Sequence, residues 1–225
     1  MHRSSRPHSP PSSYAAPSLV ALVVIAALLS SLAAQGRPRD RDRSSPPAWI
    51  AVVDREPNVR LERQGTLWAR FTPGTHNGAW NRAEGRRSGD AEPTDLATPR
   101  TFRLTHDGVD VDGTATFAER TAGVLSANWR FTPRGEMWSN DIHVQATIPL
   151  ARLRGARWET NTRQRGTFPD EYAQHMLFIG AVESLTVTLA EGDGFTLGFP
   201  EPTQVIVQDD RQWGPTFTLR VFATA

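Results

Sequence analysis

Every second side chain from Leu125 to Phe131 is apolar: Leu125, Ala127, Trp129 and Phe131 alternate with Ser126, Asn128 and Arg130. The pattern returns in Ile142, Val144, Ala146, Ile148 and Leu150, with His143, Gln145 and Thr147 opposite. Shorter copies run through Val59 and Leu61, through Leu67, Ala69 and Phe71, through Leu185, Val187 and Leu189, and through Phe195, Leu197 and Phe199. A period of two belongs to a strand, because successive strand side chains point to opposite sides of the sheet. Such regular alternation implies one buried face and one wet face, the habit of antiparallel sheets. Gly, Pro, Asn and Asp interrupt the segments about every dozen residues, the spacing of a sandwich or barrel. The expected fold is all-β, an antiparallel β-sandwich. The best helical candidate, Pro169 to Phe178, reads equally well as a loop running into a strand at Met176.

The N-terminal residues have a different character. His2, Arg3 and Arg6 form a basic start without acids, Leu19 to Leu29 is an apolar run, and Ser31-Leu32-Ala33-Ala34 supplies small residues for cleavage. That is the layout of a secretory signal peptide. Residues 1–34 are assigned to it, and the expected destination is the periplasm, the cell envelope or the exterior. The run is short of the ~20 apolar residues that a spanning helix needs, so no transmembrane segment is expected once the leader is removed. Taking the leader's two arginines from the 25 basic residues leaves 23 against 24 acidic ones. Such a balance gives no reason to expect a nucleic-acid partner. The chain has no cysteine, so an exported form would rest on its apolar core rather than on disulfides.

Residues 35–48 interleave Arg, Asp, Ser and Pro, a composition that cannot bury apolar area and reads as a disordered linker. The folded domain is expected over 49–225. Within it, residues 72–100 break the alternation and read as a long irregular loop with Trp80 as its large apolar side chain. Loops of that length in compact domains are usually functional or disordered.

No catalytic signature stands out. Gly-x-Ser-x-Gly and phosphate-cradling glycine loops are missing. Glu136, Asp141, Asp170 and Glu171 are candidates for a carboxylate pair of the kind glycoside hydrolysis uses, although no spacing ties any two of them together. His76, His106, His143 and His175 are widely spaced, and the alternation puts His143 on the wet face of its strand and the others in loops. Asp107, Asp110 and Asp112 offer oxygen ligands of the kind calcium takes. Hairpin turns recruit the same residues for backbone reasons.

Tryptophans carry the richer signal. Trp129 falls on the apolar face of its strand, whereas Trp49, Trp80, Trp138, Trp158 and Trp213 fall at loops or strand ends. An indole offers apolar area with a polar N–H, which suits the C–H faces of a sugar as well as the end of a sandwich. Trp80 and Trp138 are the best candidates for exposure. Near the C-terminus, Asp210, Arg211 and Trp213 make either a structural corner or a ligand rim.

Three stretches carry a resemblance: Gly180-Ala181-Val182-Glu183-Ser184-Leu185-Thr186-Val187-Thr188-Leu189, then Phe199-Pro200-Glu201-Pro202-Thr203, then Gln208-Asp209-Asp210-Arg211-Gln212-Trp213-Gly214. Together with Gly123 to Pro133 they resemble the N-terminal β-sandwich modules of secreted bacterial glycoside hydrolases, over about residues 110–225. The resemblance implies a supersandwich or jelly-roll-like arrangement. In that family a catalytic barrel follows the module; none follows Ala225 in this sequence, so no catalytic residue carries over. The expected function is an exported, non-catalytic protein that binds or scaffolds on carbohydrate, with Trp80, Trp138, Asp210, Arg211 and Trp213 as ligand-binding residues. The alternatives are a small glycan-active hydrolase using paired carboxylates and a structural cell-envelope protein.

Overall fold

Residues 19–28, 49–53, 55–89, 93–121 and 123–224 are described by the computed structural model. Its N-terminal half holds β1 (Leu19–Leu28), β2 (Trp49–Val53), β3 (Val59–Arg63), β4 (Thr66–Asn77), β5 (Arg82–Glu84), β6 (Arg86–Arg87), β7 (Arg100–His106) and β8 (Val109–Thr121). There follow β9 (Val124–Pro133), β10 (Ser139–Pro149), a single helical turn α1 (Leu150–Leu153), β11 (Arg157–Thr160) and β12 (Arg165–Thr167). The chain finishes with β13 (Met176–Thr188), β14 (Gly194–Asp209) and β15 (Thr216–Phe222). Each described strand pairing is antiparallel, as the alternation implies.

Strand β14 is the spine. β13 follows most of one edge of it, while the other edge takes β1 along Gly194 to Gly198 and β15 along Val205 to Asp209. Two arms therefore leave the same strand. One continues through β15, β10, β4, β3 and β2, the other through β1, β9, β8, β7 and β6. They meet across the core. Trp49 of β2 and Trp68 of β4 pack on Phe195 of β14 with ring centroids 5.7 and 5.5 Å away. Trp129 of β9 is fully buried and donates its indole N–H to the Pro57 carbonyl at 2.6 Å. Burying a large apolar side chain contributes about 1.5–3 kcal/mol, and the hydrogen bond removes the cost of an orphaned N–H.

The alternating residues lie where their period places them. Leu125, Ala127, Trp129 and Phe131 are buried, as are Val144, Ala146 and Ile148. His106-Asp107-Gly108 turns β7 into β8, and Gly108 at φ +74° takes the left-handed conformation that tight hairpins require. Pro169 to Phe178 is not helical; β13 starts at Met176.

Other expectations are revised. Leu150 does not extend β10, because the chain turns into α1 after Pro149. Residues 72–100 are not one irregular loop, since β4 runs on to Asn77 and β5 and β6 follow. Polar and small residues hid these strands, whose ladder hydrogen bonds come from β10, β4 and β7 rather than from an apolar stripe. His143 does not face water: it is completely buried. Trp49 and Trp158, read at loops or strand ends, are buried, in keeping with the packing role open to such residues. Leu19–Leu28 falls in the run read as the apolar part of a leader and forms β1 between β9 and β14. A short apolar run suits both roles. The rest of residues 1–34, and the linker over 35–48, lie outside the described residues.

Candidate functional site

Cross-strand pairing assembles a polar stripe on the face of β5, β4, β10, β15 and β14 turned away from the core. Arg82 stands opposite His76, and His76 opposite Asp141. One step along, Gly74 faces His143, which faces Phe222. The next step brings Gln145 opposite Arg220, and Arg220 opposite Ile206. Directly paired residues share a face, so segments far apart in sequence contribute to one surface.

Asp141 is the anchor. Its carboxylate accepts Nδ1 of His76 at 2.9 and 3.0 Å, the His76 backbone N–H at 3.0 Å and Nδ1 of His143 at 2.8 Å. Arg220 reaches the second oxygen at 3.5 Å and gives its Nε–H to Gln145 at 3.1 Å. An ionised carboxylate only accepts hydrogen bonds, so both imidazoles carry their proton on Nδ1. Desolvation pushes the Asp141 carboxyl upward, but the hydrogen bonds and charges of His143 and His76 outweigh it and hold the group below the usual carboxylate range. Burial lowers His143 to about 4 against the opposing pull of Asp141, so this imidazole is neutral at pH 7.

The tautomer leaves Nε2 of His143 buried without a partner. It lies over Gly74, where a Cβ would sit only 2.9 Å from that nitrogen. Donor atoms of His76, Asp141 and His143 fall within 4.8 Å of one another, a set with the chemistry to hold a metal. Both Nδ1 atoms are committed to Asp141, however, and the Arg220 cation beside the carboxylate opposes a dication there. The arrangement is a hydrogen-bond network centred on Asp141, with Nε2 of His143 left over.

Above the stripe lies a cleft of about 760 Å³, within the range of small-molecule sites. Trp80 and Trp213 line it, 63% and 69% exposed. Trp80 sits at the tip of the β4–β5 hairpin with φ +64°, a left-handed conformation that costs a non-glycine residue roughly 1–3 kcal/mol. Asn77 holds that tip: its side-chain oxygen accepts the N–H groups of Ala79 and Asn81, each at 3.0 Å, and its carbonyl accepts Trp80 N–H at 2.9 Å. Trp213 is fixed from the β14–β15 loop by its N–H to the Asp210 carbonyl at 2.7 Å and packs edge-on against His175 at 4.6 Å. Asn140, Gln208, Gln212, His175 and Arg220 supply polar groups between the two indoles, and Met176, Ile206 and Phe222 add apolar surface.

Of the residues expected at a ligand surface, Trp80 and Trp213 come together in this cleft. Trp138 does not line it. At 84% exposure it lies beside the β7–β8 hairpin, its N–H on the Gly108 carbonyl. Asp210 faces its own loop, accepting Thr218 Oγ1 at 2.6 Å and Gln208 Nε2 at 2.5 Å. Arg211 grips the fully buried Asp209 and donates to the carbonyls of Asp170 and Pro169 at 2.6 and 3.0 Å. Both build the corner from which Trp213 projects. At the other candidate site, Arg103 holds Asp110 at 2.7 and 2.8 Å and Arg134 approaches Asp112 at 3.7 Å. Side-chain cations thus already answer two of the Asp107, Asp110 and Asp112 carboxylates.

The alternation alone does not single out Gln208, Gln212 or Arg220 as lining residues. Arg220 has a signal, as a lone cation among the alternating Phe217, Leu219 and Val221 of a strand. Comparison with known proteins finds no family model, no curated protein and no solved structure that matches this chain.

Proposed function

We propose that this chain is an exported, non-catalytic β-sandwich protein that binds carbohydrate in the cleft between Trp80 and Trp213. The observation that carries the proposal is the pairing of two exposed indoles over a floor of amide, imidazole and guanidinium groups. An indole face covers the apolar side of a sugar ring, and those groups accept and donate to its hydroxyls. Backbone hydrogen bonds hold both tryptophan loops in place before a ligand arrives, which lowers the ordering cost of binding. Export is supported by the leader layout, and the N-terminal residue of the protein recovered from its producing cell decides whether β1 is retained.

Affinity electrophoresis on a panel of neutral polysaccharides tests the reading. Trp80→Ala and Trp213→Ala are each expected to weaken retention roughly ten- to thirtyfold, about 1.4–2 kcal/mol. Trp138→Ala, outside the cleft, is expected to leave retention unchanged. Equal retention of all three variants, or none on any neutral polysaccharide, rejects the proposal.

Hydrolysis is the second reading, favoured by one observation: Asp141 orients His76 at the cleft, as a carboxylate orients an imidazole base. Paired-carboxylate chemistry needs one acid with a raised pKa. Asp141 is displaced the other way, and Glu136, Asp170 and Glu171 are exposed. Reducing-sugar release that disappears in His76→Gln would favour this reading over pure binding.

A further inference from the structure

On the other flank of β5 lies a second cleft, about 880 Å³ in volume, with a different chemistry. Arg70, Arg82, Arg86, Arg87 and Arg103 line it against two carboxylates, Glu56 and Glu84. Arg86 and Arg103 are directly opposite one another in the β6–β7 ladder. Like charges in that position destabilise a sheet. Asp110 answers Arg103 through two hydrogen bonds, and Glu84 answers Arg82 at 2.5 Å. Among the described residues Arg70 and Arg86 form no ion pair. Two buried polar atoms of lining residues also lack partners, Nε of Arg82 and Oδ1 of Asn58.

We propose that this cleft binds acidic sugar residues, their carboxylates held by Arg70 and Arg86 and a neighbouring hydroxyl donated to Asn58. Guanidinium groups match carboxylates in bidentate geometry. The orphaned Asn58 oxygen separates an acidic sugar from a bare sulfate, because it needs a hydrogen-bond donor and sulfate has none. The near-neutral balance of the chain lacks the broad positive field of a nucleic-acid binder. The inference extends the carbohydrate reading to a second cleft and stands apart from the Trp80–Trp213 cleft in its test.

The full chain and its Arg70→Ala/Arg86→Ala variant are titrated with polygalacturonate, hydroxyethyl cellulose, inorganic sulfate and a short duplex DNA. The variant is expected to lose polygalacturonate affinity tenfold or more, with any cellulose binding unchanged. Its melting temperature is expected to equal or exceed that of the parent, because removing Arg86 relieves Arg103 of a like-charged neighbour. Parent binding of polygalacturonate is expected to weaken with salt, as screening requires. Polygalacturonate binding that is absent or untouched in the variant overturns the inference, as does sulfate or duplex DNA binding as tightly as polygalacturonate. If Trp213→Ala changes nothing while the arginine variant loses polygalacturonate, the tryptophan cleft fails and this one stands.

Discussion

Asp141→Ala is expected to lower the unfolding free energy by about 3–5 kcal/mol, the usual cost of removing one partner from a buried charged network. The carboxylate accepts hydrogen bonds from His76 Nδ1, the His76 backbone, His143 Nδ1 and Arg220, and each donor is buried. Truncation leaves them without an acceptor, and a buried unpaired donor costs about 1–3 kcal/mol. Arg220 also loses its countercharge; desolvation already lowers its pKa, and Asp141 is the largest opposing influence. Asp141→Asn keeps one carbonyl acceptor and should cost less. Urea unfolding of the two variants beside the parent checks the order. A midpoint for Asp141→Ala indistinguishable from the parent would show that the network does not stabilise the fold.

Acidification is expected to remove about 3 kcal/mol of stability between pH 6.5 and pH 4 through His143 alone, at roughly 1.36 kcal/mol for each pH unit that separates its folded and free values. Its imidazole sits at about 4 in the fold against 6.5 for the free group, because burial disfavours the cation. Across that window the unfolded chain binds a proton that the folded chain refuses, so stability rises with pH and falls on acidification. Asp141 adds a separate arm. Its folded pKa lies below the free value of 3.8, so its contribution is present above that pH and is lost as pH falls below it. Thermal melts at pH 7, 5.5 and 4.5 should therefore decline, and His143→Gln, neutral throughout, should flatten the upper arm. If His143→Gln melts with the same pH dependence as the parent, His143 is not the responsible group. NMR offers a check without substitution: the His143 ring should keep its neutral Nδ1–H form until about pH 4.

The sheet's inner face was legible because burial and period coincide there. Leu125, Ala127, Trp129 and Phe131 need no knowledge of their neighbours to declare a strand and its core side. The stripe that carries the site obeys no such local rule. His143 alternates as a wet-face residue would, yet His76, Asp141 and Arg82 close over it through pairings with strands remote in sequence. Exposure of Trp80 and Trp138 could be read from their loop context, but which tryptophan shares a cleft with Trp213 depends on the β4–β10–β15–β14 order. Asp210 and Arg211 have the composition of a ligand rim. Thr218, Gln208, Asp209 and two backbone carbonyls claim them instead, and only the folded loop reveals those partners.

The final strand has a consequence for how the molecule comes into being. β15 is seven residues long and lies between β10 and β14 rather than at a rim. A ribosome delivers it after both β10 and β14, the neighbours it must join. Until then β10 and β14 carry open edges; the β14–β15 pairing is a local hairpin, but the β10–β15 pairing is remote in sequence and forms slowly. An open edge held through that interval is a template for other chains. Arg220 arrives with the same strand, so the seam that closes the sheet also delivers the last member of the Asp141 network. For this chain, completing the site and escaping self-association are one late event.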